Sequence, residues 1–438
     1  MKRALPVLAL AVLTLAATSA GQTGQANPGA QTPPPAAAGA AGPPGVEIPT
    51  LSLTLNADAP APPPAQSPPK DAAPKDAPPA PYKPGGMHLL ITGDTSFTFT
   101  AQRHARGVFE GELNPFFVVQ WNDRLISEFA VESSIANNPL GGEPIRNMTL
   151  AHANLFYSVC DGLAVGAGLF HVPFGAHMHH FGKGWINQFP DDPLPFADRS
   201  LAPDTALGVM ATGAVPVGRQ SQLTYAVYAT DGPTLITGDE EEAGDLDMDR
   251  FHNFEYRSHN QGLKAIGGRV SCLPIPDIEL GFSIQGGKVE PEHFRNTDQL
   301  LWGIDASYFH EFEELKGQVR ARAEWIWSNV DGRTFDPAGA LGFGPLKFNN
   351  NRNGGYVQVG YRPTQCENAV LQNTEFCLRY DRLSISPSAP GGGNENRVTP
   401  GVAYWFTPSV VAKLAYEYDK MQGAPADHFL IFQFAVGF

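Results

Sequence analysis

The 438-residue sequence predicts an all-β fold, a transmembrane antiparallel β-barrel of roughly 16 strands that follows a disordered N-terminal tether. Three observations predict this fold. The chain ends on a strand with one apolar face, alternating segments recur from Met87 onward, and the long connections fall on one side of the strand order. Because a strand places alternate residues on opposite faces, lipid outside and a hydrated lumen inside produce this alternation.

Three segments are predicted along the chain. Residues 1–20 resemble a signal peptide, because Lys2 and Arg3 precede an apolar run that ends in small residues. An uncleaved anchor helix is the alternative, although the run is short for a bilayer span. Residues 21–86 are dominated by Pro and Ala and should form a disordered linker, because they bury too little apolar surface to offset ordering. Residues 87–438 form the predicted barrel.

The C-terminal segment 428–438 carries the clearest signal. One face is apolar throughout, whereas the other holds Gln433, Ala435 and Gly437. The apolar face consists of Leu430, Phe432, Phe434, Val436 and Phe438. Chain ends of soluble proteins are normally exposed to water, so five bulky apolar residues there favour a lipid-facing strand.

Segments of the same kind recur towards the N-terminus, and their number is even, as bacterial single-chain barrels require. The sixteen candidate strands lie near 88–102, 111–122, 124–134, 147–159, 163–173, 204–216, 221–232, 262–273, 278–289, 298–309, 314–328, 354–362, 376–386, 397–406, 410–421 and 428–438. The alternation is weakest in 262–273.

The predicted connections are short at the end where the chain stops and long at the other end. The long connections fall near 171–203, 231–260, 329–354 and 386–396. One connection at the other end, Pro363 to Glu375, is longer than the short turns expected there. This asymmetry is typical of transmembrane barrels. Aromatics near strand ends are expected to form interfacial girdles: Trp121, Tyr157, Trp327, Tyr361, Trp405 and Tyr418. A soluble multi-sheet β protein, with its apolar faces packed together, is the alternative.

The inward faces of the predicted strands carry mixed charges. The residues expected to line a pore are Glu279, Asp305, Arg320, Arg322, Glu324, Arg379, Asp381, Lys413, Glu417 and Asp419, with Glu128 and Glu132 beside them. Rings of charge set the selectivity of pores. Solvation of the wall and ion pairing between strands are the alternative role for these side chains.

Two loops hold residues that could bind a metal. The acidic loop Asp239 to Asp249 does not match an EF-hand spacing, so a solvated, cation-attracting loop is favoured. His177, His179 and His180 are close in sequence, but no Cys or carboxylate stands at a ligand spacing near them. A polar loop that folds partly into the lumen is therefore favoured, and no metal or cofactor is expected.

The sequence contains four cysteines. The predicted leader would export the chain to a compartment outside the cytoplasm, and thiols can be oxidised in such a compartment. Cys366 and Cys377 flank the long connection on the short side, and a bridge between them would clamp it. Their spacing alone does not decide whether the bridge forms. Cys160 and Cys272 lie on strands too far apart to pair and are expected to be free.

The segments Gly168-Leu-Phe-His-Val-Pro-Phe-Gly175 and Phe189-Pro-Asp-Asp-Pro-Leu-Pro-Phe196 resemble the phosphate-selective porin family, and the terminal aromatic strand resembles the assembly signal of outer-membrane proteins. The resemblance implies a sixteen-stranded, usually trimeric barrel with a loop after Phe174 folded inward to narrow the pore. Phosphate selectivity in that family rests on a ladder of luminal Arg and Lys. The mixed charges of this chain depart from that pattern and do not support a phosphate pore.

We therefore expect a passive porin in the outer membrane of a Gram-negative-type bacterium, which passes small hydrophilic solutes or ions. Its expected partners are outer-membrane lipid, the solutes and, by resemblance, two further copies in a homotrimer, but no nucleic acid. Catalysis is not expected, because the sequence has no G-x-S-x-G, His-Glu-x-x-His or phosphate-cradling motif. A lipase-like barrel enzyme and a plugged-barrel surface adhesin are the alternatives.

Overall fold

Sixteen antiparallel strands close into one barrel in chain order, as predicted. The structure, a computed structural model, describes residues 86–438 except 104, 140, 198–200, 219, 236–245, 248–263, 290–296, 333, 336–344 and 390–391. The strands are β1 (His88–Gln102), β2 (Val108–Gln120), β3 (Leu125–Ala136), β4 (Ile145–Cys160), β5 (Leu163–His171), β6 (Thr205–Val217), β7 (Ser221–Thr230), β8 (Ala265–Ile275), β9 (Ile278–Lys288), β10 (Asp298–Phe312), β11 (Gly317–Val330), β12 (Arg352–Arg362), β13 (Thr374–Ile385), β14 (Gly393–Thr407), β15 (Val410–Met421) and β16 (Ala426–Gly437). Two short ribbons, Thr234–Leu235 with Leu246–Asp247 and Thr334–Phe335 with Leu346–Lys347, lie in the long loops.

The first and last strands close the barrel. Phe97 pairs with Phe434 and Phe99 with Phe432, which aligns two apolar faces on the outer surface. At the chain end, the amides of Gly93 and Phe438 donate to each other's carbonyl oxygens at 3.0 Å. The terminal aromatic strand therefore forms the seam of the barrel, and no edge is left unpaired.

The two surfaces of the barrel differ as a bilayer requires. On β1, Phe97 is 50% exposed on the outside, whereas its neighbour Ser96 is fully buried inside. The same alternation places Leu378 outside β13 and Arg379 inside it. An apolar exterior around a charged interior is the pattern of a barrel that spans lipid. Among the residues that the structure describes, no helix is long and apolar enough to cross a bilayer.

Connections at the two ends of the barrel differ in length, as predicted. At one end, which we call the short-turn end, two-residue turns such as 161–162, 276–277 and 408–409 join neighbouring strands. The exception is 363–373, which contains the short helix Ala369–Gln372 capped by the side chain of Asn368. At the opposite end, the long-loop end, 172–204, 231–264 and 331–351 are the longest connections.

Two details differ from the sequence prediction. The strand with weak alternation is present but runs from Ala265 to Ile275, two to three residues later than predicted. Trp405 does not belong to an outer girdle, because its side chain points inward and is 6% exposed. The predicted leader and the predicted linker up to residue 85 lie outside the described residues, as does the acidic loop apart from Leu246 and Asp247.

An apolar cluster occupies the interior near the long-loop end. It joins side chains of the 172–204 connection to the inner wall of β10 to β13. Its fully buried or nearly fully buried members include Phe174, Phe196, Leu201, Leu301, Ile326 and Tyr356. Because water is excluded there, this cluster fixes one end of the connection inside the barrel.

Candidate functional site

The connection between β5 and β6, residues 172–204, folds into the lumen, as the resemblance implies for the loop after Phe174. The amide of Gly175 donates to Ser283 Oγ at 3.0 Å, and that of His177 donates to Glu324 Oε2 at 3.0 Å. Gly175 has a φ of +70°, and a Cβ atom there would collide with the Glu324 carboxylate. A glycine is therefore required where this inward loop meets the wall.

The tip of the inward loop crosses to the other side of the lumen. Lys183 Nζ lies 3.5 Å from a carboxylate oxygen of Asp94 on β1 and 3.5 Å from one of Glu132 on β3. From the wall, Lys413 donates to the backbone oxygens of Gly184 and, at 2.9 Å, Phe189. The loop is thus fastened to both sides of the barrel.

A second attachment is a buried ionic network on β13 to β15. The carboxylate of Asp191, in the inward loop, contacts both Arg379 and Arg397, the latter at 3.3 Å. Burial by itself would raise the pKa of Asp191, but the two guanidinium groups outweigh it and hold this pKa below its ordinary value. Arg379 also binds Asp381 at 2.9 Å, and Arg397 binds Asp419 at 2.9 Å. Charges are paired here because an unpaired buried charge is costly.

All ten residues predicted to line a pore point inward, but the inward loop and the network cover most of them. Nine are at most 8% exposed: Glu279, Asp305, Arg322, Glu324, Arg379, Asp381, Lys413, Glu417 and Asp419. Arg320 is the tenth, and its side chain is 23% exposed. Glu279 and Asp305 pair with Arg269, which the sequence reasoning missed. Whether solutes pass along these side chains remains a prediction.

The opposite wall, formed by β1 to β3, has carboxylates without arginines. These three strands contain no Lys or Arg. Their inward carboxylates, which we call the acidic wall, are Asp94, Glu110, Glu112, Glu128 and Glu132. Lys183 of the inward loop faces this wall across a crevice of about 40 Å³ that is also lined by Asn114 and His152. The alternation Glu110, Glu112, Asn114 was a usable signal for this wall, whereas nothing local marks Lys183.

The histidines of the inward loop make contacts within the protein. His177 Nε2 lies 2.9 Å from Asp192 Oδ1, and His179 Nδ1 lies 3.2 Å from His180 Nε2. Removal from bulk water, together with the charges of Arg269 and Arg322, lowers the pKa of His180 to about 3. In the described part of the chain, no three His, Cys, Asp or Glu side chains are placed to share a metal ion.

The bridge considered between Cys366 and Cys377 is not formed, and both thiols are free. Cys377 points into the barrel and packs against Phe189 and Ala415, whereas Cys366 lies in the 363–373 connection with its Sγ 3.4 Å from the Asn368 carbonyl oxygen. The two side chains are therefore committed to different surroundings. Cys160 and Cys272 are free, as expected.

Comparison with known proteins identifies the fold. No family model matches the chain, and no curated protein matches it in sequence. The structure of OmpF from Salmonella typhi in complex with daunomycin is similar, with a TM-score of 0.52 and 9% identity, over 81% of this chain and 98% of that one. OprB from Pseudomonas putida has a TM-score of 0.49 and 10% identity over 80% of this chain and 93% of its own. An anion-selective porin from Comamonas acidovorans has a TM-score of 0.45 and 14% identity over 81% and 100%.

The likeness to OmpF concerns the fold, because the sequences share so few residues. It supports a porin-like barrel and does not single out the phosphate-selective family. A closed barrel whose exterior is apolar and whose ends differ in connection length belongs in the outer membrane of a Gram-negative-type bacterium. The chain therefore has the fold of an outer-membrane porin barrel.

Proposed function

We propose that the chain is a passive channel for small hydrophilic solutes or ions in the outer membrane, with selectivity set by charged luminal side chains. One observation carries the proposal: a closed barrel with an apolar exterior encloses charged side chains, and a loop crosses its interior. A barrel that only anchored a surface domain would not need a charged interior. The short turns face the periplasm, as in other outer-membrane barrels.

The solute path runs between the inward loop and the acidic wall. On the other side, buried ion pairs such as that between Arg379 and Asp191, together with the apolar cluster, fix the loop to the barrel wall. At the acidic wall, Lys183 lies 3.5 Å from carboxylate oxygens of Asp94 and Glu132, which is longer than the 2.9 Å contacts within the network. Carboxylates opposite a lysine create a transverse field, and this field would select solutes by charge.

A plugged barrel that displays surface loops is the second candidate. The burial of nine of the ten predicted pore-lining side chains favours it. In that case the crevice beside Lys183 would stay closed to ions. The two candidates therefore differ in one property, the conductance of the folded protein.

Planar-bilayer recording of the purified full chain tests the proposal. Heat-modifiable mobility on gels first establishes that the barrel is folded. We expect stepwise conductance and, in a salt gradient, a reversal potential that moves towards cation selectivity, because the acidic wall carries more charge than Lys183. Folded protein that inserts into the bilayer without passing current would refute the channel and support the plugged barrel.

The proposal includes neither catalysis nor a cofactor. Hydrolysis of a short-chain ester by the folded barrel, abolished when a Ser or His is replaced, would instead support the lipase-like alternative.

A homotrimer is proposed from the resemblance to phosphate-selective porins. The mass of the detergent-solubilised complex, measured by light scattering with the detergent subtracted, distinguishes a trimer from a monomer.

A further inference from the structure

A cavity of about 540 Å³ lies at the short-turn end, on the other side of Trp185 from the crevice. We call it the arginine cavity. Its lining includes Trp185, Arg320, Arg322, Arg362, Asn373 and Trp405. Small-molecule sites of this size combine apolar walls with a few placed polar groups. The arginine cavity has both, so its electrostatics decide what it could hold.

Arg322 is buried, and no carboxylate of the described residues forms an ion pair with it. It is 6% exposed, and its guanidinium carbon lies 3.6 Å from the ring centre of Phe181. Its Nη1 has no hydrogen-bond partner in the described part of the protein. A buried cationic donor without an acceptor is costly, and native proteins rarely leave one unexplained. An anion in the cavity would supply the missing acceptor.

The other two arginines add positive charge to the same space. Arg362 is held by neutral acceptors, the Gln372 carbonyl oxygen at 2.7 Å and Asn373 Oδ1 at 2.9 Å. Arg320 lies 3.8 Å from Glu375, a carboxylate that also accepts from Gln188 at 2.6 Å. Three guanidinium groups therefore surround the cavity, and the Glu375 carboxylate offsets part of their charge.

The remaining walls are aromatic. The Arg320 guanidinium lies 5.5 Å from the ring centre of Trp405, which packs with Ala403, Val411 and Ala435. Trp185 packs against this group from the inward loop. Flat aromatic walls bind a flat apolar body, and the planar fork of a guanidinium matches a carboxylate.

We propose that the arginine cavity binds a small organic anion, namely a carboxylate carried on an aromatic or apolar body. The carboxylate accepts hydrogen bonds from Arg322, and the body lies against the two indoles. This site is separate from the proposed path along the acidic wall. Binding does not require conduction, so the two proposals fail independently.

Isothermal titration calorimetry of the full chain in detergent tests the site with benzoate as the probe. Benzamide has the same shape without the charge, and inorganic phosphate has the charge without the apolar body. We expect benzoate to bind at least about tenfold more tightly than either, because the site uses both features. Equal affinity for benzamide, or for phosphate, would overturn the proposal.

Variants assign the binding to Arg322. We expect Arg322→Gln to weaken benzoate binding at least about tenfold and Arg322→Lys to retain part of it, since a charge-assisted hydrogen bond is lost or kept. The matched control is Arg382→Gln, because Arg382 is exposed on the outer face of β13. Unchanged binding by folded Arg322→Gln would contradict the proposal. If that variant does not fold, Arg362→Gln at the rim of the cavity is measured instead. Weaker benzoate binding by this variant would support the proposal, and unchanged binding would contradict it.

Discussion

The two halves of the lumen hold the inward loop in different ways. On β13 to β15, arginines and carboxylates pair with each other and with Asp191 of the loop, and these charges are almost completely buried. On β1 to β3, five carboxylates face the lumen without a Lys or Arg on their own strands, and Lys183 of the loop reaches two of them. The same loop is thus fixed by a network on one side and by Lys183 on the other.

This difference indicates where the proposed solute path should open. Breaking a buried network costs several kcal/mol because every charge in it loses a partner, whereas on the other side only the 3.5 Å contacts of Lys183 with Asp94 and Glu132 would have to part. We therefore expect the loop to separate from the acidic wall more readily than from the network. A conducting path should open beside Lys183, and charges on β13 to β15 should matter mainly for stability.

Asp191→Asn should have the largest effect, a loss of about 3 kcal/mol in the free energy of unfolding, because Arg379 and Arg397 would lose a buried counter-charge. Urea titration of the folded barrel in detergent measures it. Asp298→Asn is the control: this carboxylate is 64% exposed and lies 3.7 Å from Lys288, so its loss should cost less than about 1 kcal/mol. Equal losses in the two variants would show that the network does not anchor the loop.

Lys183→Gln should raise the single-channel conductance by about twofold or more and increase the preference for cations, because the charge opposing the acidic wall is lost. Bilayer recording with a salt gradient measures both quantities. Lys288→Gln, a change at an exposed pair near the long-loop end, should leave them close to those of the unaltered protein. A conductance in Lys183→Gln that matches this control would place the path elsewhere.

The thiols distinguish the rim from the interior. In folded, unreduced protein, a maleimide should label Cys366 in the 363–373 connection and leave buried Cys377 unmodified. Mass spectrometry after proteolysis assigns the labelled sites. A disulfide-linked peptide containing both residues would contradict the free thiols of the structure.

The last prediction concerns the protonation of His180. Its pKa in the folded protein is about 3, below the ordinary value of 6.5, so between these values the unfolded chain binds a proton that the folded chain does not. The free energy of unfolding should therefore fall as the pH is lowered from 7 to 4. The fall should be smaller in His180→Gln, whereas His88→Gln, an exposed residue, should behave like the unaltered protein. Identical pH profiles for all three proteins would show that His180 does not contribute.

Much of the fold could be predicted from the sequence, because alternation and connection length are local properties. They located all sixteen strands and the inward direction of the ten predicted pore residues. Trp405 was placed wrongly because its position near a strand end was considered without the face on which it lies. Arg269 was missed because Gly267 and Gly268 weaken the alternation of β8.

Which luminal side chains the inward loop buries could not be predicted in the same way. Contacts such as that between Lys183 and Asp94 join residues far apart in the chain, and no local pattern specifies them. Pairing of Asp191 with Arg379 likewise depends on the path of a 33-residue connection, 172–204. Local reasoning therefore identified inward-facing charges but could not separate buried pairs from side chains beside a solute path.

Cysteine-directed block is the most direct test of the central claim that solutes pass between Lys183 and the acidic wall. Glu132→Cys, at a side chain that is 17% exposed, is recorded before and after a charged methanethiosulfonate reagent. The unaltered protein controls for native thiols, and Thr399→Cys places a thiol at a fully buried inward position on β14. We predict that the reagent reduces the current of Glu132→Cys and leaves the other two unchanged. A current blocked through position 399 but not through position 132 would contradict the account.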